Sequence, residues 1–474
     1  MGDCARGGVA GNMQGGGLDN RDKKVHNVTP FHVKKGEQNM KNRVRGLTVA
    51  VALMSTAAAN GAGFALYQGS SKGIAMGGAA MGRAPDASAN FYNPATISDF
   101  TNTVVTVGTG LEMPRASAHI NGDHAGRMNP RAFLLPHAYV VQPLPWDFTF
   151  GLGFAPEFGL GTKYGSGWGL NWNTTETTVE GLVINPNLSY RITEDWSVSA
   201  GFRILYFSFD QYSHPLAMAG QYRLGQMSTH LEGNNGFADW GWQVSTRYRI
   251  LDNLSAGLMY RSYIDTKVRG HYSTRVKSYN TTAINAVAPY LNATPEQLMA
   301  KVAAGAMTAN GDAGADIRLP QSISGGLNWD VTDTVHLGGA VTWTGWSSMD
   351  TLKFDLEGGD KTTKLDWDDV FRFSLGGAWD FAEDWSLMGS YCYDMDPCST
   401  EDDHGSTMLP AGDRHILNGG LAWTWGNLEI SACYGLVLMC GESQTYHDAG
   451  GNAYRFKTTN GLSHQLGLTF TYTF

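Results

Sequence analysis

From Phe100 onward the chain repeatedly alternates apolar and polar side chains with a period of two, the signature of strands whose two faces meet different surroundings. The last segment is the clearest case. Leu462, His464, Leu466, Leu468, Phe470, Tyr472 and Phe474 share one face, while Ser463, Gln465, Gly467, Thr469, Thr471 and Thr473 share the other. The stretch from Trp196 sets Val198, Ala200, Phe202, Ile204 and Tyr206 against Ser197, Ser199, Gly201 and Arg203. The run through Trp367, Phe371, Phe373, Leu375, Trp379 and Phe381 is set against Asp368, Arg372, Ser374 and Gly376. One face suits lipid and the other suits a polar or packed lumen.

The connections sharpen this reading. Several are very short and rich in Asp, Asn and Glu: Thr193-Glu194-Asp195, Leu251-Asp252-Asn253, Val331-Thr332-Asp333, Ala382-Glu383-Asp384 and Trp425-Gly426-Asn427. Others are long, as in 157–176, 210–235, 273–319, 396–413 and 440–459. Tight turns at one end and long loops at the other are the asymmetry of an outer-membrane barrel. Strands are expected near 100–112, 131–141, 147–156, 178–190, 195–209, 236–249, 254–272, 320–330, 334–346, 366–381, 385–395, 414–425, 428–438 and 460–474, an even count of fourteen. The fold class is therefore all-β: a transmembrane antiparallel β-barrel of about fourteen strands, spanning 100–474, with an N-terminal plug inside. A secreted β-sandwich or propeller would explain the alternation but not the two-ended loop asymmetry.

Composition agrees where it bears on the argument. Glycine contributes 60 residues and charged residues only 16%, against about a quarter in an average soluble domain. Mean hydropathy is -0.24, and outside the N-terminal region no apolar run reaches the roughly 18 residues that a membrane-spanning helix needs.

The N-terminal region supplies an address. From Met40 the chain reads Lys41, Arg43 and Arg45, an apolar stretch from Leu47 to Met54, then Ala57-Ala58-Ala59 and Gly61. Charged, apolar and small residues in that order make a secretory signal peptide over 40–61, with the mature start near Ala62. Residues 1–39 are Gly-rich and polar, out of place ahead of such a signal, and are expected to be a non-native extension. The mature chain holds 25 basic and 39 acidic side chains, a net charge near -14 that argues against nucleic acid as a partner. Cys392, Cys398, Cys433 and Cys440 then sit in an oxidising compartment, where three pairings are possible and sequence does not choose among them. A metal site has no support, since no paired C-x-x-C or clustered His accompanies them.

Two regions leave the alternating pattern. Residues 62–99 are small and Gly/Ala-rich and read as the plug. In the loop at 273–319, Thr294 can cap, Pro295 suits the first helical position, and Leu298, Met299 and Val302 form an apolar face. That helix is either part of a capture groove for apolar substrate or a unit packed on its own loop.

At this point the chain resembles the long-chain fatty-acid outer-membrane transporter family. Gly63-Phe64-Ala65-Leu66-Tyr67, Gly73-Ile74-Ala75-Met76-Gly77-Gly78-Ala79 and Asn93-Pro94-Ala95 resemble its plug. Ala155-Pro156-Glu157-Phe158-Gly159-Leu160 with Tyr164, Thr342-Trp343-Thr344-Gly345-Trp346-Ser347, Arg372-Phe373-Ser374-Leu375-Gly376-Gly377, Tyr391-Cys392-Tyr393-Asp394 and Asp413-Arg414-His415 resemble its barrel motifs, in order along the mature chain. The resemblance implies passive uptake of long-chain fatty acid or another hydrophobic small molecule. It further implies apolar pockets and sideways release through a gap in the wall.

Candidate site residues follow. Pro156 cannot donate to a ladder, and Gly151 and Gly153 precede it, so the third strand is expected to bend there and open the wall. Asn93, Pro94 and Ala95 would make a fixed turn in the plug. Phe158 and Leu160, with Leu298, Met299 and Val302, would meet incoming substrate, and by the family pattern Lys361 or Lys364 would face its carboxylate. Gly69-Ser70-Ser71-Lys72-Gly73 fits G-x-S-x-G, but no strand, sharp turn and helix of an α/β sheet surround it. The chain is thus expected to be a transporter without cofactor or catalysis, a monomer among the lipid and lipopolysaccharide of a Gram-negative-type outer membrane. A general porin, a structural barrel and an outer-membrane lipid hydrolase are the alternatives.

Overall fold

The computed structural model describes residues 63–165, 167–357, 361–398, 412–441, 443–447 and 452–474. The expected extension 1–39 and signal peptide 40–61 lie outside the described residues. Fourteen strands make the wall: β1 Val104–Ile120, β2 Phe133–Pro143, β3 Phe148–Lys163, β4 Glu176–Arg191, β5 Trp196–Ser213, β6 Asp239–Leu251 and β7 Leu254–Arg261. The second half adds β8 Ser322–Asp330, β9 Val335–Thr344, β10 Val370–Ala382, β11 Trp385–Asp394, β12 Arg414–Trp425, β13 Leu428–Met439 and β14 Ala453–Thr473. Each pairs antiparallel with its neighbours, and β14 pairs with β1 from Val104↔Thr473 to Ile120↔Phe456, closing the barrel. Closure gives ladder partners to backbone groups that lipid could not satisfy.

The alternation maps onto the wall. Leu466, Leu468, Phe470 and Tyr472 stand outward at 39–43% exposure, while Ser463, Gln465, Thr469 and Thr471 are buried inside. Phe371, Phe373, Leu375, Trp379 and Phe381 are likewise exposed. Trp196, Trp329, Trp385 and Trp425 stand exposed beside the short turns, where an aromatic girdle meets headgroups. Among the described residues no helix is long and apolar enough to cross a membrane.

Strands run farther toward the long loops than alternation suggests, with β5 reaching Ser213 and β14 starting at Ala453. Polar residues there still pair although no lipid face demands a pattern. The expected strand 254–272 is interrupted after Arg261 and resumes at Ile264–Tyr279. Ser262 causes the break, because its Oγ accepts the Trp242 N–H at 2.9 Å in place of a ladder carbonyl.

Residues 63–99 lie against the inner face of the wall and hold two short helices, α1 Ser71–Ala75 and α2 Ala89–Tyr92, and a 3-10 turn, Pro94–Asp99. Side chains on separate strands of the wall grip this inner segment. Ser71 Oγ meets Thr469 Oγ1 on β14 at 2.8 Å, and Asn90 Nδ2 donates to the Asn185 carbonyl on β4 at 3.0 Å. A Cβ at Gly257 or Gly338 would strike the carbonyls of Met81 or Ala79, so the wall needs glycine there for so close an approach. In the long loop, α3 Thr281–Val287 precedes α4 Pro295–Thr308. Thr294 and Gln297 form a capping box at the start of α4. Cys392 and Cys433 are buried thiols outside any disulfide, so none of the three complete pairings forms.

Candidate functional site

The wall is not sealed everywhere. The β2–β3 ladder runs from Pro143↔Thr149 to Ala138↔Phe154 and stops. Beyond that point β2 continues with β1 to Glu112↔Phe133, and β3 continues with β4 to Lys163↔Glu176. Residues 133–137 and 155–163 therefore border an opening between two strands adjacent in the wall. Continuing the register would set Pro136 directly opposite Pro156, and neither has an N–H to give. One residue later β3 bulges: Pro156 pairs with Leu182 and Phe158 with Gly181, leaving Glu157 as the extra residue. The inner segment takes the edge that β2 leaves. Ala65 bridges to Phe158, Leu66 N donates to Glu157 O at 2.8 Å, and Gly159 N donates to Phe64 O at 2.8 Å.

A cavity of about 440 Å³ lies inside this opening. Leu66, Leu135, Phe158, Val179, Val437 and Met439 give it apolar walls, and Glu112, Glu180 and Asp394 with Arg131, Arg372 and Arg414 give it charge of both signs. Its volume lies in the range of small-molecule pockets, roughly 300–1,000 Å³. Arg131 pairs with Glu176 at 3.0 Å and Arg372 with Asp394 at 3.4 Å. Arg372 also lies 4.2 Å over the Tyr67 ring. Burial, and after it the Asp394 carboxylate, pushes the Tyr67 phenol above its ordinary value, so it remains a neutral hydroxyl. Behind the cavity Phe64 inserts among Phe158, Trp346, Phe207 and Trp367, with ring centroids 5.0 to 6.4 Å away. Such a chamber can enclose a slender apolar molecule and place an anionic end near Arg131 or Arg414.

The residues expected from sequence fall into separate places. Phe158 and Pro156 line the cavity at the opening. Leu160 belongs to the same stretch of β3, but its side chain is outside the described residues. Gly151 and Gly153 sit below the opening, in the fully paired section of β3, where a Cβ would crowd Asn90. Their lack of side chains serves the inner segment's approach. Asn93, Pro94 and Ala95 form the start of the 3-10 turn: Asn93 Oδ1 accepts from Ala95 N at 3.1 Å, and the Ala95 carbonyl accepts from Ser197 Oγ at 2.8 Å. Leu298 and Val302 are fully buried, with Met299 partly so, against α3 on their own loop and strand Tyr222–Asn234 of the other long loop, 210–235. They do not line the cavity. Lys364 is exposed and pairs with Asp366 at 3.0 Å, away from the cavity, and the side chain of Lys361 is outside the described residues.

Sequence reasoning missed Pro136, Arg131 and Arg414. A proline inside an otherwise alternating strand was the available signal for the first. The arginines are brought together from β12 and the residues just before β2, which only the closed wall makes neighbours of one cavity.

At the short-turn end a second cavity, about 310 Å³, is lined by polar and apolar groups alike and holds several ion pairs. Lys72 pairs with Glu429, Arg83 with Asp330 at 3.1 Å, and His336 stands between Asp330 at 2.6 Å and Asp380 at 3.1 Å.

Comparison with known proteins adds the following. A family model described as outer membrane protein transport protein (OMPP1/FadL/TodX) matches residues 50–474. The long-chain fatty acid transport protein of Escherichia coli K12 is 25% identical over 465 residues, covering 90% of this chain and 98% of that protein. Among solved structures, a Pseudomonas aeruginosa FadL homologue superposes with a TM-score of 0.73 at 18% identity, covering 86% of this chain and 99% of that one. The Pseudomonas putida toluene transporter TodX superposes with a TM-score of 0.63 at 18% identity, covering 86% and 98%.

Proposed function

Because the chain belongs to the OMPP1/FadL/TodX family of outer membrane transport proteins, whose members carry hydrophobic compounds, we propose that its cargo rests in the cavity behind β3 and leaves sideways through the opening between β2 and β3. The opening itself carries this reading: the ladder ends at Ala138↔Phe154 beside an apolar chamber. Transfer from water into the chamber is driven by about 25 cal/mol per Å² of apolar surface buried. Passage from chamber to lipid keeps that surface out of water, whereas the charged short-turn end would require cargo to cross ion pairs. The inner segment 62–99 serves as the plug, with the Asn93-Pro94-Ala95 turn as its anchor to β5. Residues 40–61 direct the chain to the outer membrane, where it works as a monomer among lipid and lipopolysaccharide. A long-chain fatty acid fits the chamber's pairing of apolar walls with Arg131 and Arg414.

The test is to restore the ladder. Pro136→Val together with Pro156→Val supplies the two missing N–H groups. Uptake of a radiolabelled fatty acid by cells should fall severalfold, while the purified protein still binds it within a factor of about two, far less than the tenfold that 1.4 kcal/mol represents. Undiminished uptake in a variant with a sealed wall would overturn the sideways route.

A further inference from the structure

The bulge that shapes the opening is built around a buried charge. Glu157 is 3% exposed and Arg203, reaching across from β5, is 2% exposed. Arg203 Nε donates to Glu157 Oε2 at 2.9 Å, its Nη2 bonds the same oxygen, and its Nη1 donates to the Ser262 carbonyl at 3.1 Å. From β7, Arg261 Nη1 stands 4.0 Å from that carboxylate oxygen. Arg261 also donates to the Phe91 carbonyl and lies 4.8 Å over the Phe91 ring in α2. One carboxylate thus links the bulge of β3 to β5, to β7 and to the inner segment.

Stability alone does not explain the arrangement, since a buried ion pair is often matched or bettered by apolar side chains of similar volume. Direction does. Beyond Ala138↔Phe154 the edges of β2 and β3 carry ladder groups that do not pair with each other, and unpaired groups in a membrane wall favour re-pairing. Among the described residues the inner segment satisfies the Glu157 carbonyl and the Gly159 N–H alone. Both guanidinium groups act from the lumen, so the carboxylate is drawn inward, away from β2.

We propose that Glu157 is a positioning residue: held on the lumenal side by Arg203 and Arg261, it keeps β3 off β2 and sets the width of the opening. Its effect on transport rests on the sideways route proposed above; its effect on the wall does not. Glu157→Gln leaves a hydrogen-bonding group but removes the counter-charge of Arg203. Glu157→Met with Arg203→Met removes the closest charge pair at similar length and leaves Arg261 its hydrogen bond to the Phe91 carbonyl and its place over the Phe91 ring.

The two are compared with the unaltered wall in purified full-length protein, with the native cysteines replaced by alanine and spin labels at Leu134→Cys on β2 and Lys163→Cys on β3. Pulsed electron resonance should show the label distance shortening and its spread changing in both variants, with fatty-acid uptake reduced severalfold and binding retained. Unchanged distances in both variants overturn the positioning role, whatever uptake does. A changed distance with full uptake upholds the role and removes the exit route instead.

Discussion

Pro156 announces itself in the sequence, because a proline in an alternating run must cost a ladder bond. Its counterpart Pro136 becomes meaningful only once Ala138↔Phe154 fixes the register. The same limit applies to charge. Lys361 and Lys364 stand three residues apart in the chain and in a suggestive place, yet Lys364 pairs with Asp366 on the surface. Arg131 and Arg414 meet at one cavity from positions far apart in sequence. Arg414 also donates to the Gly63 carbonyl at 3.3 Å, so it positions the start of the inner segment as well. Arg414→Leu should weaken binding of palmitate by about tenfold or more, the range of a lost charge-assisted hydrogen bond at about 1.5–3 kcal/mol. Binding of hexadecanol, which has the same chain and no charge, should change little. Equal losses for both ligands in titrations of purified protein would mean that Arg414 shapes the cavity without reading a carboxylate.

Among the elements, the wall strands were the most legible, since each must offer one face to lipid and one to the lumen. All fourteen have a counterpart in the wall, several extended toward the long loops and the one expected over 254–272 ending at Arg261. The loop helix was legible too, because Thr294, Pro295 and Gln297 spell its start. What it packs against was not, as one apolar stripe suits a groove and a private core equally. Leu298 and Val302 belong to a core that this loop shares with the strand Tyr222–Asn234 of the other long loop. Leu298→Ala should therefore cost about 2–5 kcal/mol within that loop. Limited proteolysis should then cut between α3 and α4 faster, with fatty-acid binding in the cavity unaltered. Weakened binding at an intact loop would return the helix to the capture pathway. The short helices of the inner segment were the least legible element, because their stability comes from wall glycines and from partners such as Thr469 and Asn185.

For the molecule as a whole, the inner segment and the wall act as one object. Asn93, Asn90, Ser71 and Arg372 reach between them at several points around the lumen. Removing residues 62–99 should convert a channel nearly closed to ions into one that conducts steadily, as read by single-channel recording in planar bilayers. No rise in conductance would mean that the segment does not block the lumen. The seam between β1 and β14 carries a different implication. It joins the two wall strands most distant in sequence, so its loop-closure entropy is the largest in the barrel. Assembly should finish there, with the inner segment already threaded, since a zipped cylinder offers no side door wide enough for helices. In pulsed hydrogen exchange during refolding, amides such as Val107 should gain protection after those of the β12–β13 hairpin; the reverse order would mean that the cylinder shuts first and is stoppered afterwards.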